Sequence, residues 1–533
     1  MAQDLIRDLK DAKEDVKEEA AENLVAGDGA GAPGSATSVE AASSAARWWR
    51  IADFGVLGIW LAIVGFTLRY HEKWVDEAQA WLFARDLDLR TLWFYELRYE
   101  GSPGLWHTIL WIAQHVFHAP YSALGPIGMA CATAGVALLI FKAPFPRYIR
   151  WPLAFTYFMV YQYAVIARQY TLLPLLAFAA ALLFKDVKHP VQMTVALLLL
   201  ANVSFHGTIL AACLGLAYLI DAYRSRSALS TEVRRRYWIC IGVMVLTFVF
   251  LFFVLKPAKD SLEIVVRPNL SHLPAFVNQR GQDITPSLKF VTVLSGAFLD
   301  YTLPSLIFVL FAAAWCFLRG RLLIFALPVA LEIALYSFLY GTAHHHGTVF
   351  IAAITGLWIA WPSQQERRNF SSRDVWAMRG MTALLVFLCA INIWDSAVVI
   401  ERDYLYPYCG AEDAAHYLRA VGADRGLIFG YGFGISAVQA YFDHKIMANI
   451  PTSYTHNGLP AYGFWLDEEQ VERVKPDYVV AFVMEDPQEM LRIDGPVWAS
   501  HGYELVHFSD GYYFYKRAVW EREAYLIFRR TRP

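Results

Sequence analysis

The sequence predicts a membrane-embedded, all-α bundle of about eleven transmembrane helices, followed by a small C-terminal α/β domain. Three observations predict this fold class. Hydrophobic residues occupy 57% of the 533 positions and charged residues only 18%, whereas a soluble globular chain has about 45–50% and about 25%. The mean hydropathy is +0.34. The apolar residues are concentrated in long uncharged runs, and the pattern changes to alternating short helices and strands near residue 399.

The sequence divides into three predicted segments. Residues 1–46 are charged and then rich in Ala, Gly and Ser, which predicts a disordered or partly helical cytoplasmic tail rather than a signal peptide. Residues 47–398 hold the apolar runs and form the predicted transmembrane module. Residues 399–533 form the predicted α/β domain. The net charge of −2 gives no indication of nucleic-acid binding.

The apolar runs, extended by their flanks, approach the roughly 20 residues that a helix needs to cross a bilayer. We expect spans at 51–69, 121–141, 152–167, 170–184, 190–204, 207–220, 238–255, 303–318, 322–340, 348–362 and 381–396. Alternate connections carry clusters of Lys and Arg, which the positive-inside rule places in the cytoplasm. This alternation requires that 103–118, which three His and one Gln interrupt, form a re-entrant or interfacial helix that does not cross.

The opposite, outer face then receives the chemically unusual residues. It holds the loop 70–120, the turns near Arg168, His206 and His344–Gly347, the loop 256–302 and the C-terminal domain. The loop 256–302 either caps the site or forms a peripheral amphipathic helix.

Short elements are predicted in the C-terminal domain from periodicity and β-branched or aromatic content. The predicted helices are Gly410–Val421 and Glu468–Val474, and the predicted strands are Gly426–Phe429, Asp477–Val483, Tyr503–Phe508 and Tyr512–Tyr515. The glycine-rich stretch Gly430–Gly434 follows a strand. Its Gly-x-Gly-x-Gly spacing predicts a tight turn rather than a nucleotide-binding loop.

Two adjacent acids, Asp76 and Glu77, lie just after the first predicted span. A carboxylate in a partly desolvated position acquires a raised pKa and is suited to act as a general base on a hydroxyl group. The alternative is that both acids are solvated charges that mark the membrane edge. The apolar residues Trp81, Leu82 and Phe83 between charged positions predict a helix that lies along the membrane interface.

These acids also belong to a recognisable arrangement. They precede Tyr-Glu-Gly-Ser-Pro-Gly-Leu-Trp (99–106) in the same loop, and Ala-Arg-Gln-Tyr-Thr-Leu-Leu (167–173) follows a later span. The arrangement over about residues 51–400 resembles the polyprenyl-phosphate-sugar-dependent glycosyltransferases of the GT-C superfamily. Protein O-mannosyltransferases, lipid A aminoarabinose transferases and RgtA-type enzymes are the branches it resembles most. The family commonly has His or Lys before the proline pair, where this sequence has Ser102.

The resemblance implies a GT-C-like membrane module in a bacterial inner membrane, with its site and C-terminal domain facing the periplasm. It also implies inverting transfer of a sugar from a polyprenyl phosphate to a lipid, glycan or protein acceptor. The family's catalytic acid corresponds to Asp76 and less directly to Glu77. No cofactor is implied; a divalent metal is conceivable, but the sequence offers no convincing set of ligands for it.

The leaving group of this reaction is a lipid phosphate, so cations must stabilise its growing charge. Arg168 is the first candidate, beside Tyr170 of the same motif; a snorkelling Arg at a membrane edge is the alternative. Arg98, Glu100 and Arg85 in the first outer loop are further candidates for substrate binding.

Four histidines are candidates for contact with a phosphate or a sugar. His344, His345 and His346 lie in one outer turn, and His206 lies in another. Three adjacent imidazoles do not easily reach one metal ion, and interfacial packing is the alternative role. Glu332 lies within an apolar run, where a hydrogen bond to a neighbouring helix is favoured over a direct function.

The competing functional class is a membrane transporter or flippase with an accessory extracytoplasmic domain. Transporters place polar residues near the membrane midplane and are commonly built from internal repeats. The sequence has one clear midplane acid, Glu332, and no detectable repeat. The transferase interpretation is therefore favoured.

Overall fold

The computed structural model of the chain describes residues 36–100, 102–256, 276–277, 283–284, 286–338, 343–432, 434–449, 468–484 and 487–531. The chain divides into two units, residues 1–59 and residues 60–533. The described part of the first unit belongs to helix α1 (Ala36–Tyr70). Residues 36–46 of the predicted tail are helical, which agrees with the partly helical alternative, and the rest of that tail lies outside the described residues.

The second unit continues with a series of helices that alternate with short breaks. In chain order these are α2 (Val75–Asp86), α3 (Leu105–His115), α4 (Leu124–Lys142), α5 (Arg147–Ala154), α6 (Leu173–Leu183), α7 (Pro190–Ala201), α8 (Phe205–Arg224), α9 (Thr231–Leu255), α10 (Pro286–Ala297), α11 (Thr302–Leu318), α12 (Leu322–Phe338), α13 (His346–Ala360) and α14 (Ser372–Leu405). Shorter helical turns occupy Leu89–Glu100, where Leu92–Glu96 is a π-helix.

Five of the described helices are long and apolar enough to cross a membrane: Arg47–Tyr70, Tyr121–Lys142, Phe205–Arg224, Thr231–Leu255 and Ser372–Leu405. A sixth crossing results if α10 and α11, which meet at an angle of 73°, count as one broken span. The chain is therefore membrane-embedded, whereas the predicted number of about eleven spans is not confirmed. Several remaining apolar helices are short, and α13 is buried along all 15 residues, so neighbouring helices rather than lipid surround it.

The predicted span 152–167 is not a regular helix. α5 ends at Ala154, two residues after Pro152, and a π-helical turn (Phe158–Gln162) leads into irregular backbone. Pro152 lies inside α5 and removes one of its few backbone donors, which weakens this short helix. Irregular backbone at membrane depth is tolerated where protein covers it, and residues 158–167 are all buried. Arg168 follows this irregular segment directly.

The first outer loop folds into α2 and α3, which pack against each other. α3 has only 11 residues, too few to cross a bilayer, as expected for 103–118. The segment around Trp81 was predicted to lie along the membrane interface, but its apolar side chains are covered by protein. Trp81, Leu82 and Phe83 are 2%, 2% and 0% exposed, so α2 is a helix buried inside the protein.

The C-terminal domain is a four-stranded mixed sheet with helices around it. After the two-residue strands β1 (Phe276–Val277) and β2 (Asp283–Ile284), its strands are β3 (Ile428–Tyr431), β4 (Tyr478–Val483), β5 (Tyr503–Tyr515) and β6 (Ala518–Arg530), in the spatial order β3-β4-β6-β5. β3 and β4 are parallel, and the other pairs are antiparallel. The helices are α15 (Ala411–Ala420), α16 (Ile435–Ala440), α17 (Glu468–Val474) and α18 (Pro487–Ser500).

Most predicted elements of this domain are present, with three differences. The two strands predicted within 503–515 form one strand, whose register shifts between Leu505 and His507 and again after Tyr513. β6 and α18 were not predicted, because charged residues interrupt the apolar pattern of both. The predicted tight turn is consistent with the backbone of Gly432, which adopts a φ of 87°, a conformation that glycine adopts without steric cost.

The β5–β6 hairpin docks onto the membrane module through four charges. Lys516 Nζ lies 2.5 Å from Asp300 Oδ1 and 3.5 Å from Asp395 Oδ2, and Arg517 lies 2.7 Å and 2.9 Å from the same two carboxylates. Asp300 occupies the bend between α10 and α11, and Asp395 belongs to α14. The side chains of Asp395 and Lys516 are 0% and 4% exposed, so this contact fixes the hairpin beside the mouth of the bundle.

Candidate functional site

The structure joins the two strongest candidates from the sequence. Arg168 Nη1 lies 2.7 Å from Asp76 Oδ2. Asp76 lies in the first turn of α2, and Arg168 follows the irregular segment after the π-helical turn. The side chains of Arg168 and Asp76 are 14% and 30% exposed, so the pair is accessible although its surroundings are buried.

Glu77 holds the backbone on both sides of this ion pair. Its Oε1 accepts the amide of Ala167 at 2.7 Å, and its Oε2 accepts the amide of Trp74 at 3.3 Å. These are the residue before Arg168 and the residue two positions before Asp76. Glu77 is 1% exposed, and both of its oxygens have partners. It is therefore arranged to position the other two residues rather than to accept a proton from a substrate.

His71 completes this anchor. Its Nε2 lies 3.2 Å from Glu77 Oε2 and its Nδ1 lies 2.9 Å from Asp403 Oδ2, which also accepts the hydroxyl of Tyr161 at 3.0 Å. Burial lowers the pKa of His71, but Asp403 and Glu77 outweigh it and raise the pKa to about 10. A protonated imidazole therefore bridges two buried carboxylates and ties α2 to the end of α14.

The electrostatic setting of Asp76 suits a base. Burial raises the pKa of its carboxyl group above the ordinary value, and the neighbouring charges of Glu100 and Glu77 act in the same direction, while Arg168 lowers the pKa. The guanidinium of Arg168 has its own pKa raised by Asp76, in spite of the opposing effect of burial. Arg168 is a fixed cation, and Asp76 is a carboxylate whose proton affinity depends on that cation.

Aromatic rings surround the guanidinium of Arg168. Its Cζ lies 5.7 Å from the ring of Trp74 and 5.6 Å from the ring of Tyr170. Tyr170 packs in turn against His206 and His345, with ring centroids 6.1 Å and 5.7 Å apart. Aromatic faces attract a cation and hold it in place. The Nε atom of Arg168 is buried without a hydrogen-bond partner among the described residues, which leaves a donor for an anionic ligand.

The three adjacent histidines point to different neighbours. His344 Nδ1 lies 3.0 Å from the hydroxyl of Tyr513, and His346 Nδ1 lies 3.2 Å from the hydroxyl of Tyr515. Burial, followed by the charges of Arg168 and His346, lowers the pKa of His344 well below its ordinary value. His344 is therefore a neutral group beside Arg168, and His346 contributes to docking of the hairpin.

His206 and Glu332 lie deeper in the bundle. The ring centroid of His206 is 4.9 Å from that of Tyr336 and 5.1 Å from that of His345, so His206 supports the wall behind Tyr170. Glu332 Oε2 accepts a hydrogen bond from Thr348 Oγ1 at 2.7 Å. Thr348 belongs to the neighbouring helix α13, so the predicted interhelical role of Glu332 is confirmed.

The remaining candidates of the first outer loop have mainly local partners. Arg98 Nη2 donates to the carbonyl of Phe94 at 2.8 Å. Glu100 Oε1 accepts from Gln79 Nε2 at 2.7 Å, and its charge reaches Asp76. Arg85 Nη1 donates to the carbonyl of Phe442 at 2.6 Å, so it links α2 to the C-terminal domain. Of these, Glu100 is the residue with an electrostatic connection to the site.

Several residues of the site were not predicted: His71, Trp74, Asp403 and Tyr513. Asp403 and Tyr513 lie far along the chain, and only the fold brings them near the first loop. His71 and Trp74 flank the Asp76–Glu77 motif, so proximity to that motif was the available signal. Within the described part of the chain, no group of three or more His, Cys, Asp or Glu residues is arranged to hold a metal ion.

Comparisons with known proteins give a small number of similarities. No protein-family model matches the sequence, and no curated protein matches it. Among solved structures, the chain is similar to ArnT from Cupriavidus metallidurans bound to undecaprenyl phosphate, with a TM-score of 0.47, 11% identity and coverage of 89% of this chain and 97% of ArnT. The apo state of the same enzyme gives a TM-score of 0.48, 11% identity and coverage of 90% and 98%.

Identity of 11% and TM-scores of 0.47 and 0.48 are too low to assign chemistry to this chain.

Proposed function

We propose that this protein is an inverting glycosyltransferase of the GT-C type. It transfers a sugar from a polyprenyl phosphate to a cell-envelope acceptor at the outer face of the membrane. The observation that carries the proposal is the accessible Asp76–Arg168 pair, whose atoms Oδ2 and Nη1 are 2.7 Å apart. A base for the acceptor and a cation for the leaving phosphate are the two groups that this reaction requires, and both are present at one point.

Asp76 acts on the acceptor. Its carboxylate removes the proton from the acceptor hydroxyl as the oxygen forms a bond to the anomeric carbon of the donor sugar. The bond between that carbon and the phosphate oxygen breaks on the opposite side, which inverts the anomeric configuration. The proton resides on Asp76 and the bonding electrons leave with the polyprenyl phosphate. The raised pKa of Asp76 suits this role, because general bases work best with pKa values near the working pH.

Arg168 acts on the leaving group. As the bond to the sugar breaks, negative charge grows on the phosphate, and a cation that is already in place stabilises this charge without reorganisation. Trp74, Tyr170 and the Ala167–Glu77 hydrogen bond hold Arg168 in place. A guanidinium presents several donors to phosphate oxygens. In Arg168 the buried Nε has no hydrogen-bond partner among the described residues, so it is available to a phosphate.

Three features support the choice of donor and location. Membrane-embedded helices surround the site, which favours a lipid-linked substrate. The Lys- and Arg-rich connections between predicted spans favour the outer face for the loop that contains Asp76. Undecaprenyl phosphate is the ligand of the similar protein ArnT, and it belongs to the carrier class proposed here. Acceptor chemistry is limited to a nucleophilic hydroxyl on a lipid, glycan or protein.

The transporter alternative receives little support from the described membrane helices. Glu332 is engaged by Thr348, and Asp395 by Lys516 and Arg517. Neither buried acid is thus left exposed to a transported solute. The transferase and the transporter functions make opposite predictions for loss of the Asp76 carboxylate, because a transporter does not need a base at the outer rim.

The test compares Asp76→Asn with Asp86→Asn. Both acids lie on α2, their side chains are 30% and 32% exposed, and each contacts an arginine. Cell-envelope glycans of a deletion strain that expresses each variant are compared by mass spectrometry, with folded protein quantified in the membrane fraction. We expect Asp76→Asn to lower glycan modification by about 10²–10⁴-fold, and Asp86→Asn to leave it unchanged. Full modification with Asp76→Asn would exclude a catalytic role for Asp76.

A further inference from the structure

Trp74 contacts the catalytic pair through Arg168, and so far its role is only to hold that guanidinium in place. It immediately precedes α2, two residues before Asp76, and its backbone amide is held by Glu77 at 3.3 Å. The side chain is half-buried. Its position therefore follows that of the proposed base, while part of its indole ring stays accessible.

Three neighbours fix the orientation of this indole. The Arg168 guanidinium lies 5.7 Å from its ring, and the ring centroids of Tyr513 and His344 lie 4.8 Å and 5.7 Å away. The indole Nε1 is buried and has no hydrogen-bond partner among the described residues. The indole is thus a rigid apolar surface with one unused donor, next to the cation proposed to hold the donor phosphate.

The C-terminal domain supplies the support behind the indole. Tyr513 lies on β5, is 5% exposed, and its hydroxyl lies 3.0 Å from His344 Nδ1. Two further residues of the same hairpin, Lys516 and Arg517, bind the buried carboxylate of Asp395 in the membrane module. The hairpin is therefore held in register with the membrane module, so that Tyr513 packs against Trp74.

We infer that Trp74 is the surface against which the donor's sugar ring packs, and that Tyr513 is a positioning residue for Trp74. This inference rests on the proposed function. In a polyprenyl phosphate sugar, the ring is bonded directly to the phosphate, so a phosphate on Arg168 places the ring within reach of the adjacent indole. The C–H face of a sugar is apolar and packs against an aromatic face, while the indole N–H donates to a ring hydroxyl.

The C-terminal domain thereby takes part in substrate selection. A carrier phosphate without a sugar uses Arg168 alone, whereas the glycosylated carrier uses Arg168 and Trp74. The preference of the protein for the glycosylated carrier over the bare carrier measures the contribution of Trp74, separately from that of Arg168.

The experiment measures equilibrium binding of two kinds of probe to the purified full-length protein in detergent. The probes are undecaprenyl phosphate, and undecaprenyl phosphate that carries a hexose or a pentose. We expect the wild type to prefer a glycosylated probe and Trp74→Ala to reduce that preference by about tenfold. Because Trp74 also packs against Arg168, the variant should bind the bare carrier somewhat more weakly, but it should lose more affinity for the glycosylated probe. Trp74→Phe retains most of the preference, and Tyr513→Ala loses part of it.

Trp376→Ala is the matched control. Arg379 lies over the ring of Trp376 at 5.3 Å, as Arg168 does over Trp74. Trp376, however, belongs to α14, away from the site, and is 69% exposed. We expect Trp376→Ala to leave the preference for the glycosylated probe unchanged. If Trp74→Ala does not fold, Trp74→Leu replaces it, since leucine fills space without an aromatic face.

Two outcomes overturn the inference: a wild type that does not prefer any glycosylated probe, or a folded Trp74→Leu protein that keeps the wild-type preference. Failure of the proposed function has a different signature. In that case Arg168→Gln binds undecaprenyl phosphate as tightly as the wild type does, whatever the result at Trp74.

Discussion

Replacement of His71 by glutamine tests the anchor beneath the site most directly. His71 lies between Glu77 Oε2 at 3.2 Å and Asp403 Oδ2 at 2.9 Å, and all three side chains are at most 1% exposed. Glutamine is uncharged, so His71→Gln leaves two carboxylates buried without their shared cation. Removal of one partner from a buried ion pair costs about 3–5 kcal/mol, and we expect a loss of stability of this size.

The assay is unfolding of the purified protein in detergent, with His189→Gln as the control. His189 also pairs with an aspartate, Asp186, at 2.5 Å, but its side chain is 56% exposed. Exposed ion pairs contribute about 0–1 kcal/mol, so the control should unfold almost as the wild type does. Equal losses in both variants would refute the reasoning, because burial would then have no effect on the contribution of the pair.

The same anchor predicts a direction for pH dependence. The pKa of His71 is raised from 6.5 to about 10, so the folded state binds its proton more tightly than the unfolded state does. The stabilisation from this group is therefore complete below pH 6.5 and is lost as the pH rises through about 10. The stability difference between the wild type and His71→Gln should shrink over that interval. A constant difference from pH 6 to above pH 10 would contradict the assignment of a protonated bridge.

Two further predictions concern the cations at the site and at the hairpin. Arg168 lowers the pKa of Asp76, so Arg168→Gln should move the acidic limb of the kcat/KM profile to higher pH in the residual activity. An unmoved limb would mean that Asp76 is not the base. Lys516→Met should cost about 1–3 kcal/mol in thermal unfolding, because the fully buried Asp395 loses one of its two cations and keeps Arg517. Arg529→Met, whose side chain is 53% exposed, should cost about 0–1 kcal/mol.

The sequence predicted the central pair of the site because its signals are local. Asp76 and Arg168 lie in short motifs next to apolar runs, and the distribution of Lys and Arg among the loops placed both on one face. Such signals locate residues relative to the membrane, but they do not determine which atoms meet. The 2.7 Å contact between the two side chains follows from the broken helix after Pro152, which the apolar pattern of 152–167 concealed.

The different roles of Asp76 and Glu77 were also beyond prediction from the sequence. The two acids are adjacent, but successive residues of a helix face directions about 100° apart. Asp76 therefore faces the accessible rim, whereas Glu77 faces His71 and the amide of Ala167 inside the protein. The contribution of Tyr513 could not be predicted either, since it depends on contact between segments more than 400 residues apart in the chain.

The pairing of Asp76 with Arg168 also bears on the order in which two substrates bind. With no substrate present, the guanidinium already neutralises the carboxylate, so an acceptor that arrives first meets a base with weakened proton affinity. A phosphate that binds the remaining donors of Arg168 shares its positive charge, which restores part of that affinity at the moment when a sugar is ready for transfer. Kinetics should then be sequential and ordered, with the lipid carrier binding first.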